Sequence, residues 1–246
     1  MINEVLKKNF LKMSREYRQF ALEKDACRAC PHYSHYQQTA QSEGNAIDPT
    51  FVFVGECYGA EEIENMRPFI GVAGQRLRQE LRKYPDVFNR KTSLITNTLS
   101  CRPLDNKFPS NPDTVHACYA KWTQRELKLL KAPIIITLGS HALLQVRGEK
   151  GITSVRGTWK FLNEFRAWSM ATYHPSYVLR CRNDPAKRAV EHEFEEDIKN
   201  VAERGEYMVG LDPRMQMSEE EWRVHKTFAT AVEIGLIKGQ SVTTHD

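Results

Sequence analysis

The chain has 246 residues, 41% of them hydrophobic and 27% charged, and its 35 basic and 31 acidic side chains give a formal net charge of +4. No apolar run approaches the ~20 residues that are needed to cross a bilayer, and the acidic, early-broken amino terminus does not resemble a secretory signal. We therefore expect a soluble, cytoplasmic protein of one large domain or a domain with extensions, whose mild positive charge is compatible with nucleic acid without establishing it.

The predicted elements alternate between strands and helices along the chain. Residues 1–24 predict an amphipathic amino-terminal helix, whose apolar stripe comprises Val5, Leu6, Phe10, Met13, Tyr17 and Phe20. Short apolar runs predict buried strands at 51–56, 93–97, 133–139 and from 167, the last leading into a loop that ends at 176. Helical patterns occupy 73–84, 112–131, 140–146 and 185–204. A Ser-x-x-Glu capping box opens a further helix within a carboxy-terminal extension at 206–246.

This alternation predicts an α/β domain over residues 25–205, with helices on both faces of a parallel sheet. In such folds, ligands bind at the carboxyl ends of the strands. The polar or glycine residues that fall there are Glu56, Asn97, Gly139 and His174. We therefore expect a functional site at that edge.

Four of the six cysteines suggest a metal centre. Cys27 and Cys30 form a C-x2-C turn, which places two sulfurs on the same side of the chain. Cys101 and Cys118 are separated by sixteen intervening residues and form two separate points on a long loop and the following helix. Spacing alone leaves open a structural zinc site, an iron–sulfur cluster or coincidence, although a reducing compartment argues against disulfides.

Several motifs together resemble the family-4 uracil-DNA glycosylases over roughly residues 25–203. They are GECYGAEEIENMRPFIGVAGQRL (55–77), ITNTLSCRP (95–103), IIITLGSHAL (134–143) and TYHPSYVLR (172–180). The resemblance implies a three-layer α/β/α fold with a central, mainly parallel four-stranded sheet. It also implies that Cys27, Cys30, Cys101 and Cys118 hold a structural [4Fe–4S] cluster.

The resemblance assigns roles to four site residues. His174 matches the histidine that donates to the leaving base, and Asn97 matches the asparagine that reads the Watson–Crick edge of uracil. Phe69 matches the aromatic on which a flipped base stacks, and Glu56 matches the glutamate at the sugar side. Each residue also has an ordinary interpretation, namely a loop histidine, a turn former, a core aromatic and a helix cap.

The chain departs from the family near this site. Its GECYG has Cys57 and Tyr58 where the family has a small residue and a proline, so we expect both at the base-binding end of the strand. Met66 replaces a glycine of the family's Gly-Arg-Pro-Phe. We expect Met66 to exclude the positive φ that a glycine allows.

Two segments are candidates for contacting DNA. Gly71 and Gly74 precede a helix and are predicted to offer backbone donors to phosphate. The segment SYVLR resembles the family's minor-groove loop, with Tyr177 or Leu179 as a wedge and Ser176 and Arg180 near phosphates. A solvated charged face is the alternative for the basic residues, which continue with Arg182, Lys187 and Arg188.

The resemblance predicts a monofunctional DNA glycosylase that acts as a monomer on a flipped base in single- or double-stranded DNA, with uracil as its first substrate. One alternative is a glycosylase for a hypermodified cytosine in phage DNA, which would make the protein an antiviral defence factor. Another is a non-catalytic DNA-binding or replication-accessory protein on the same scaffold.

Overall fold

A six-stranded sheet runs through the computed structural model, which describes residues 13–29 and 39–210. Its strands are β1 (Glu43–Gly44), β2 (Phe51–Gly55), β3 (Ser93–Asn97), β4 (Ile134–Leu138), β5 (Trp159–Leu162) and β6 (Ala167–Thr172). The order across the sheet is β1-β3-β2-β4-β6-β5. The four central strands are parallel, and the two outer strands pair antiparallel to them. The predicted, mainly parallel four-stranded sheet is therefore confirmed as the centre, and two short edge strands extend it.

The central strands are buried at every position, which explains their near-continuous apolar sequences. Alternate side chains of β2 enter different cores, because successive residues of a strand point to opposite faces. Val52 and Val54 belong to one hydrophobic cluster, whereas Phe51 and Phe53 belong to the other. The sheet thus lies between two apolar layers, as the three-layer prediction requires.

Nine α-helices accompany the strands within the described residues. They are α1 (Arg15–Asp25), α2 (Ala60–Glu64), α3 (Val72–Leu81), α4 (Pro112–Cys118), α5 (Gln124–Leu130), α6 (Gly139–Arg147), α7 (Ile152–Val155), α8 (Pro175–Cys181) and α9 (Ala189–Gly210). A π-helical turn, Tyr119–Thr123, joins α4 to α5, so the helix predicted over 112–131 is interrupted rather than regular. Short 3₁₀ turns occupy Leu104–Asn106 and Pro185–Lys187.

The prediction that residues 176–180 form a loop is wrong, because they lie in α8. His174 is the N-cap of this helix, and its side chain accepts from the Ser176 backbone N–H. Pro175 occupies the first helical position, where its missing N–H costs nothing and its fixed φ favours the helix. The HPS motif is therefore a helix start.

Helix α1 is part of the packed fold, since Tyr17 and Phe20 join the same cluster as Val52. The predicted domain boundaries at residues 24 and 205 stay predictions. Residues 1–12 and the predicted helix after 211 lie outside the described residues, and so do Val5, Leu6 and Phe10 of the amino-terminal stripe. None of the described helices is long and apolar enough to cross a bilayer.

Candidate active site

Three predicted site residues converge at the carboxyl ends of the central strands. Gly55 ends β2, and a Cβ built on it would collide with both the Asn97 side-chain oxygen and the Phe69 ring. Asn97 and Phe69 therefore both lie against the main chain of Gly55. The centroid of the Phe69 ring is 5.9 Å from that of His174, which follows β6. The structure thus brings Asn97, Phe69 and His174 together at one edge of the sheet, and their roles in a functional site stay a prediction.

Asn97 carries a buried amide whose hydrogen-bonding capacity is unused. Its main-chain oxygen accepts from Thr123 Oγ1 at 2.8 Å, which anchors the end of β3. The residue is 1% exposed, and neither the nitrogen nor the oxygen of its side chain makes a hydrogen bond of ordinary geometry to a described residue. The Tyr58 hydroxyl is nevertheless close: burial raises its pKa, and the side chains of Thr96 and Asn97 oppose that rise. An unsatisfied buried polar group costs about 1–3 kcal/mol. Proteins retain an unsatisfied buried group of this kind mainly at functional sites, where a ligand supplies the missing hydrogen bonds.

His174 is held as a neutral ring with its proton on Nε2. Ser176 N donates to His174 Nδ1 at 3.2 Å, and Ser176 Oγ lies 2.8 Å from the same nitrogen. Arg180 Nη1 donates to Ser176 Oγ at 3.2 Å, which leaves the hydroxyl proton free to point at Nδ1. Burial, followed by the charges of Arg180 and His141, lowers the pKa of His174 to about 4. Because Nδ1 is the acceptor, the single proton of the neutral imidazole resides on Nε2.

Phe69 has an unusual backbone that is held from two sides. Its φ is +55°, a left-handed conformation that bulky residues seldom adopt. Arg78 Nε donates to the Phe69 carbonyl oxygen at 2.8 Å, and a Cβ on Gly74 would collide with that same carbonyl. The ring is 5% exposed and belongs to the second hydrophobic cluster, so Phe69 is a core residue whose edge reaches the site.

The expectation that Met66 excludes a positive φ is wrong, since its φ is +53°. Met66 follows the C-cap Asn65 of α2, and its N–H donates to the Ile63 carbonyl at 3.2 Å. The next N–H, of Arg67, donates to the Glu62 carbonyl at 2.9 Å. This pair of bonds is the Schellman motif, in which the residue after the C-cap is left-handed. Two backbone hydrogen bonds thus hold a methionine in a conformation that glycine normally takes.

Glu56 lies beside a histidine that the motifs did not single out. Its carboxylate is 32% exposed, and His141 Nε2 is 4.0 Å from Glu56 Oε2. Burial raises the pKa of Glu56, while the charges of His141 and Arg180 oppose that rise. The signal for His141 was its place two residues after Gly139, at the carboxyl end of β4, where other site residues also lie.

Of the two replaced residues of GECYG, Tyr58 is buried and Cys57 is half-buried. Burial, with a smaller contribution from Glu56, raises the pKa of Cys57, which keeps it a thiol. Tyr58 is buried with Ala40 and Ile63, and its hydroxyl donates to the Gln41 carbonyl across 3.4 Å. The structure gives the Tyr58 ring a packing role, and base contacts by either residue stay a prediction.

The predicted DNA-binding glycines already have partners within the fold. Gly71 N donates to Glu62 Oε1 at 2.9 Å, so a phosphate would have to displace that carboxylate. Gly74 is buried beneath Phe69, where only a glycine fits. The contact with Phe69 explains the glycine at 74 without DNA, whereas the N–H of residue 71 could come from any residue except proline.

The predicted DNA-binding residues of α8 are divided between the fold and the surface. Ser176 belongs to the contacts that hold His174, and the ring centroid of Tyr177 is 5.3 Å from that of Tyr173. Leu179 is half-buried, and Arg180 is exposed. Contacts of these residues with DNA stay a prediction.

Three of the predicted cluster ligands line one cavity of about 350 Å³. Cys27, Cys101 and Cys118 contribute to its wall, whereas Cys30 lies outside the described residues. None of the five described cysteines forms a disulfide. Within the described part of the chain, no three His, Cys, Asp or Glu side chains are close enough to share a single metal ion. A four-iron cluster spreads its sulfur ligands more widely than one ion does, and the three thiols around a shared cavity fit that larger group.

Comparison with known proteins relates the chain to DNA glycosylases. A sequence profile of the uracil DNA glycosylase superfamily matches residues 41–199. A type-4 uracil-DNA glycosylase of Thermotoga maritima is 34% identical over 182 residues, which cover 73% of this chain and 91% of that protein. The proteins of the same name from Sulfurisphaera tokodaii and Saccharolobus solfataricus are each 31% identical, over 72% and 68% of this chain and 80% and 78% of their own lengths.

Proposed function

Because the chain belongs to the uracil DNA glycosylase superfamily, we propose that it is a monofunctional DNA glycosylase that removes uracil. The enzyme hydrolyses the N-glycosidic bond of a flipped-out nucleotide and leaves an abasic site. The names of its relatives support this activity. The observation that carries the proposal is the unpaired, buried amide of Asn97 beside the neutral imidazole of His174.

Asn97 recognises the base in this proposal. A side-chain amide both donates and accepts, which complements the adjacent N3–H donor and O4 acceptor of uracil. Because the amide is already desolvated, it gives up no hydrogen bonds to water when the base arrives, and a base that leaves it unpaired is disfavoured.

His174 stabilises the leaving group. As the glycosidic bond breaks, the sugar becomes cationic and negative charge develops on the base oxygens. The Nε2–H donates to the O2 atom of the departing uracil, while Nδ1 stays occupied by Ser176. One preorganised donor of this kind contributes a factor of about 10²–10³ to the rate.

Phe69 and Glu56 act on the base plane and the sugar. The Phe69 ring offers an edge and part of a face for stacking, which is worth about 1–3 kcal/mol per base. The Glu56 carboxylate orients the attacking water and favours the cationic sugar. Burial raises the pKa of this carboxyl group, and the charges of His141 and Arg180 oppose that rise and so favour its ionised form.

The cluster completes the proposed enzyme as a structural group. Cys27, Cys30, Cys101 and Cys118 would hold it, and it ties the amino-terminal segment to the loop that follows β3. We also propose that residues of α8 contact DNA and that the enzyme acts as a monomer in the reducing cytoplasm. We place the boundaries of its glycosylase domain at residues 24 and 205. The alternatives of a hypermodified-cytosine glycosylase and a non-catalytic DNA-binding protein gain no support from the comparisons.

One assay tests the activity. Duplexes with a single uracil, matched duplexes with thymine and phage DNA with hypermodified cytosine are incubated with the protein and then treated with alkali. We expect strand breaks only at uracil, and a single-turnover rate about 10²–10³ lower for His174→Ala with little change in affinity for abasic DNA. Breaks confined to phage DNA, or DNA binding without breaks in any substrate, would refute the proposal.

A further inference from the structure

His141 is a titratable side chain at the active site to which neither the motifs nor the proposed mechanism assigns a role. It lies near the start of α6, and its Nε2 faces Glu56 Oε2 across 4.0 Å. The imidazole is 43% exposed, so burial alone does not explain its orientation. Its ring stacks on Phe108, with centroids 3.7 Å apart and planes inclined by 26°. This stacking fixes the plane in which Nε2 points at the carboxylate.

The charged and titratable groups around this contact come from two further elements, β2 and α8. Glu56 follows β2, His174 caps α8 and Arg180 lies within α8. Both His141 and Arg180 oppose the rise in the pKa of Glu56, and both contribute to the lowered pKa of His174. Glu56 carries the acidic side chain among these four residues. Its Oε2 faces His141 Nε2 at 4.0 Å, which is too long for a hydrogen bond in this structure. Contacts of about 4 Å in a free enzyme commonly tighten when substrate closes over them and expels water.

Phe108 links this contact to the proposed cluster. It lies between Leu104–Asn106 and α4, on the loop whose two ends carry Cys101 and Cys118. A group that holds both cysteines also restricts where the loop can place Phe108. The segment between the two cysteines therefore carries the ring that stacks on His141, which in turn faces Glu56.

We propose that His141, held by its stack on Phe108, is a positioning residue that orients the Glu56 carboxylate towards the sugar of the flipped nucleotide. This inference rests on the proposed glycosylase activity, because it assigns Glu56 a partner within that reaction. His141 neither touches the base nor transfers a proton to it. Its effect on the rate passes through Glu56, since a small displacement of a catalytic group costs up to about 10²-fold.

Single-turnover kinetics with saturating enzyme test the coupling. We expect His141→Ala and Phe108→Ala each to slow uracil release by about 10-fold, with affinity for abasic DNA retained. In a Glu56→Gln background, His141→Ala should cost less than about twofold, because the group it positions is absent. His141→Gln, which keeps an N–H donor, should recover part of the rate. His192→Ala replaces an exposed histidine of α9 as the matched control and should leave the rate unchanged.

Two kinetic outcomes would overturn the inference: an unchanged rate in His141→Ala, or an equal loss with and without the Glu56 carboxylate. Absence of uracil release by the wild-type enzyme would instead refute the proposed function. A readout without turnover separates these cases, namely the NMR signals of the His141 ring at one fixed pH. The ring lies 4.0 Å from the Glu56 carboxylate, so Glu56→Gln should shift those signals and leave the signals of His192 in place. Unchanged His141 signals in the variant would refute the contact whatever the activity.

Discussion

At the scale of single residues, the protonation of His174 decides what the site can do. A charged imidazolium would be a stronger hydrogen-bond donor than the neutral ring. Burial and the charges of Arg180 and His141 all disfavour a positive charge on His174, however, and so lower its pKa. The neutral ring needs no protonation before catalysis and has a defined tautomer, since Nδ1 accepts from Ser176. The hydrogen bonds from Arg180 to Ser176 and from Ser176 to His174 thus keep the proton of the imidazole on Nε2.

Ser176→Ala tests that series. The variant keeps the backbone N–H on Nδ1 but removes the hydroxyl, so the Nε2–H tautomer loses one of its two supports. We expect the single-turnover rate at neutral pH to fall by about 5- to 10-fold, the equivalent of one ordinary hydrogen bond. Ser154→Ala, which removes an exposed hydroxyl bound to the Gly151 carbonyl, is the control. Equal rates for the two variants would show that Ser176 does not orient the ring.

The pH dependence of the rate separates His174 from Glu56. The pKa of His174 is about 4 instead of the ordinary 6.5, so the ring stays neutral throughout the range in which a free histidine titrates. Burial raises the pKa of Glu56 above the ordinary 4.5, so this carboxylate is protonated first as the pH falls. We expect no loss of rate centred near pH 6.5 and an acidic limb that disappears in Glu56→Gln. A wild-type profile that falls at the ordinary histidine pKa would contradict this assignment.

At the scale of elements, the end of α2 stores strain beside the site. A left-handed conformation costs an L-residue about 1–2 kcal/mol, whereas glycine adopts it freely. Met66→Gly should therefore raise the free energy of unfolding by about 0.5–1 kcal/mol, after allowance for the greater entropy of glycine in the unfolded chain. Chemical denaturation measures the change. Asn65→Gly, at the preceding position with φ −95°, has no strain to relieve and should be destabilising.

A buried polar cluster attaches α1 to the sheet. Glu126 of α5 accepts from Tyr17 Oη at 2.6 Å, Ser42 Oγ at 2.6 Å and Thr96 Oγ1 at 3.1 Å. The Nζ of Lys24 lies 3.3 Å from Glu126 Oε2, the oxygen that also accepts from Thr96, and the side chains of Lys24 and Glu126 are both 0% exposed. Thr96 immediately precedes Asn97, so the same carboxylate supports the strand that carries the base-reading amide.

Removal of this carboxylate should be costly. Glu126→Ala leaves the Lys24 ammonium buried without its counter-charge, and we expect a loss of about 3–5 kcal/mol in the free energy of unfolding. Glu164→Ala removes an exposed partner of Lys128 and should cost about 0–1 kcal/mol. A difference of less than about 1 kcal/mol between the two variants would mean that Lys24 finds another partner.

At the scale of the whole molecule, the sequence predicted those elements whose positions depend on a local pattern of apolar residues. The four central strands are buried on both faces and are rich in β-branched and aromatic residues, so their positions follow from composition within about one residue. Strand β1 has two residues and β5 is only partly buried, so neither carries an apolar run. The placing of Asn97 and His174 at one edge followed from the rule that parallel strands end together, whereas Phe69, which lies between α2 and α3, was indicated only by the family resemblance.

The features that escaped prediction depend on contacts between distant segments. The positive φ of Met66 is imposed by hydrogen bonds at the end of α2, although methionine alone disfavours it. The place of His141 depends on Phe108, and the burial of Lys24 depends on Glu126, far along the chain. Local periodicity contains no information on such pairs.

The proposed cluster is the feature that ties these distant segments into one molecule. Cys27 follows α1, Cys101 follows β3 and Cys118 ends α4, so one group would join three elements around the cavity.

We expect protein purified without oxygen to be brown, with iron and sulfide in equal amounts. Cys101→Ala should lose the colour and melt at a lower temperature, because ligand loss uncouples these elements. Cys181→Ala, at a buried cysteine within α8, should retain the iron. A colourless wild-type protein that contains zinc would refute the cluster without refuting the glycosylase, since Asn97 and His174 are held by hydrogen bonds from Thr123 and Ser176.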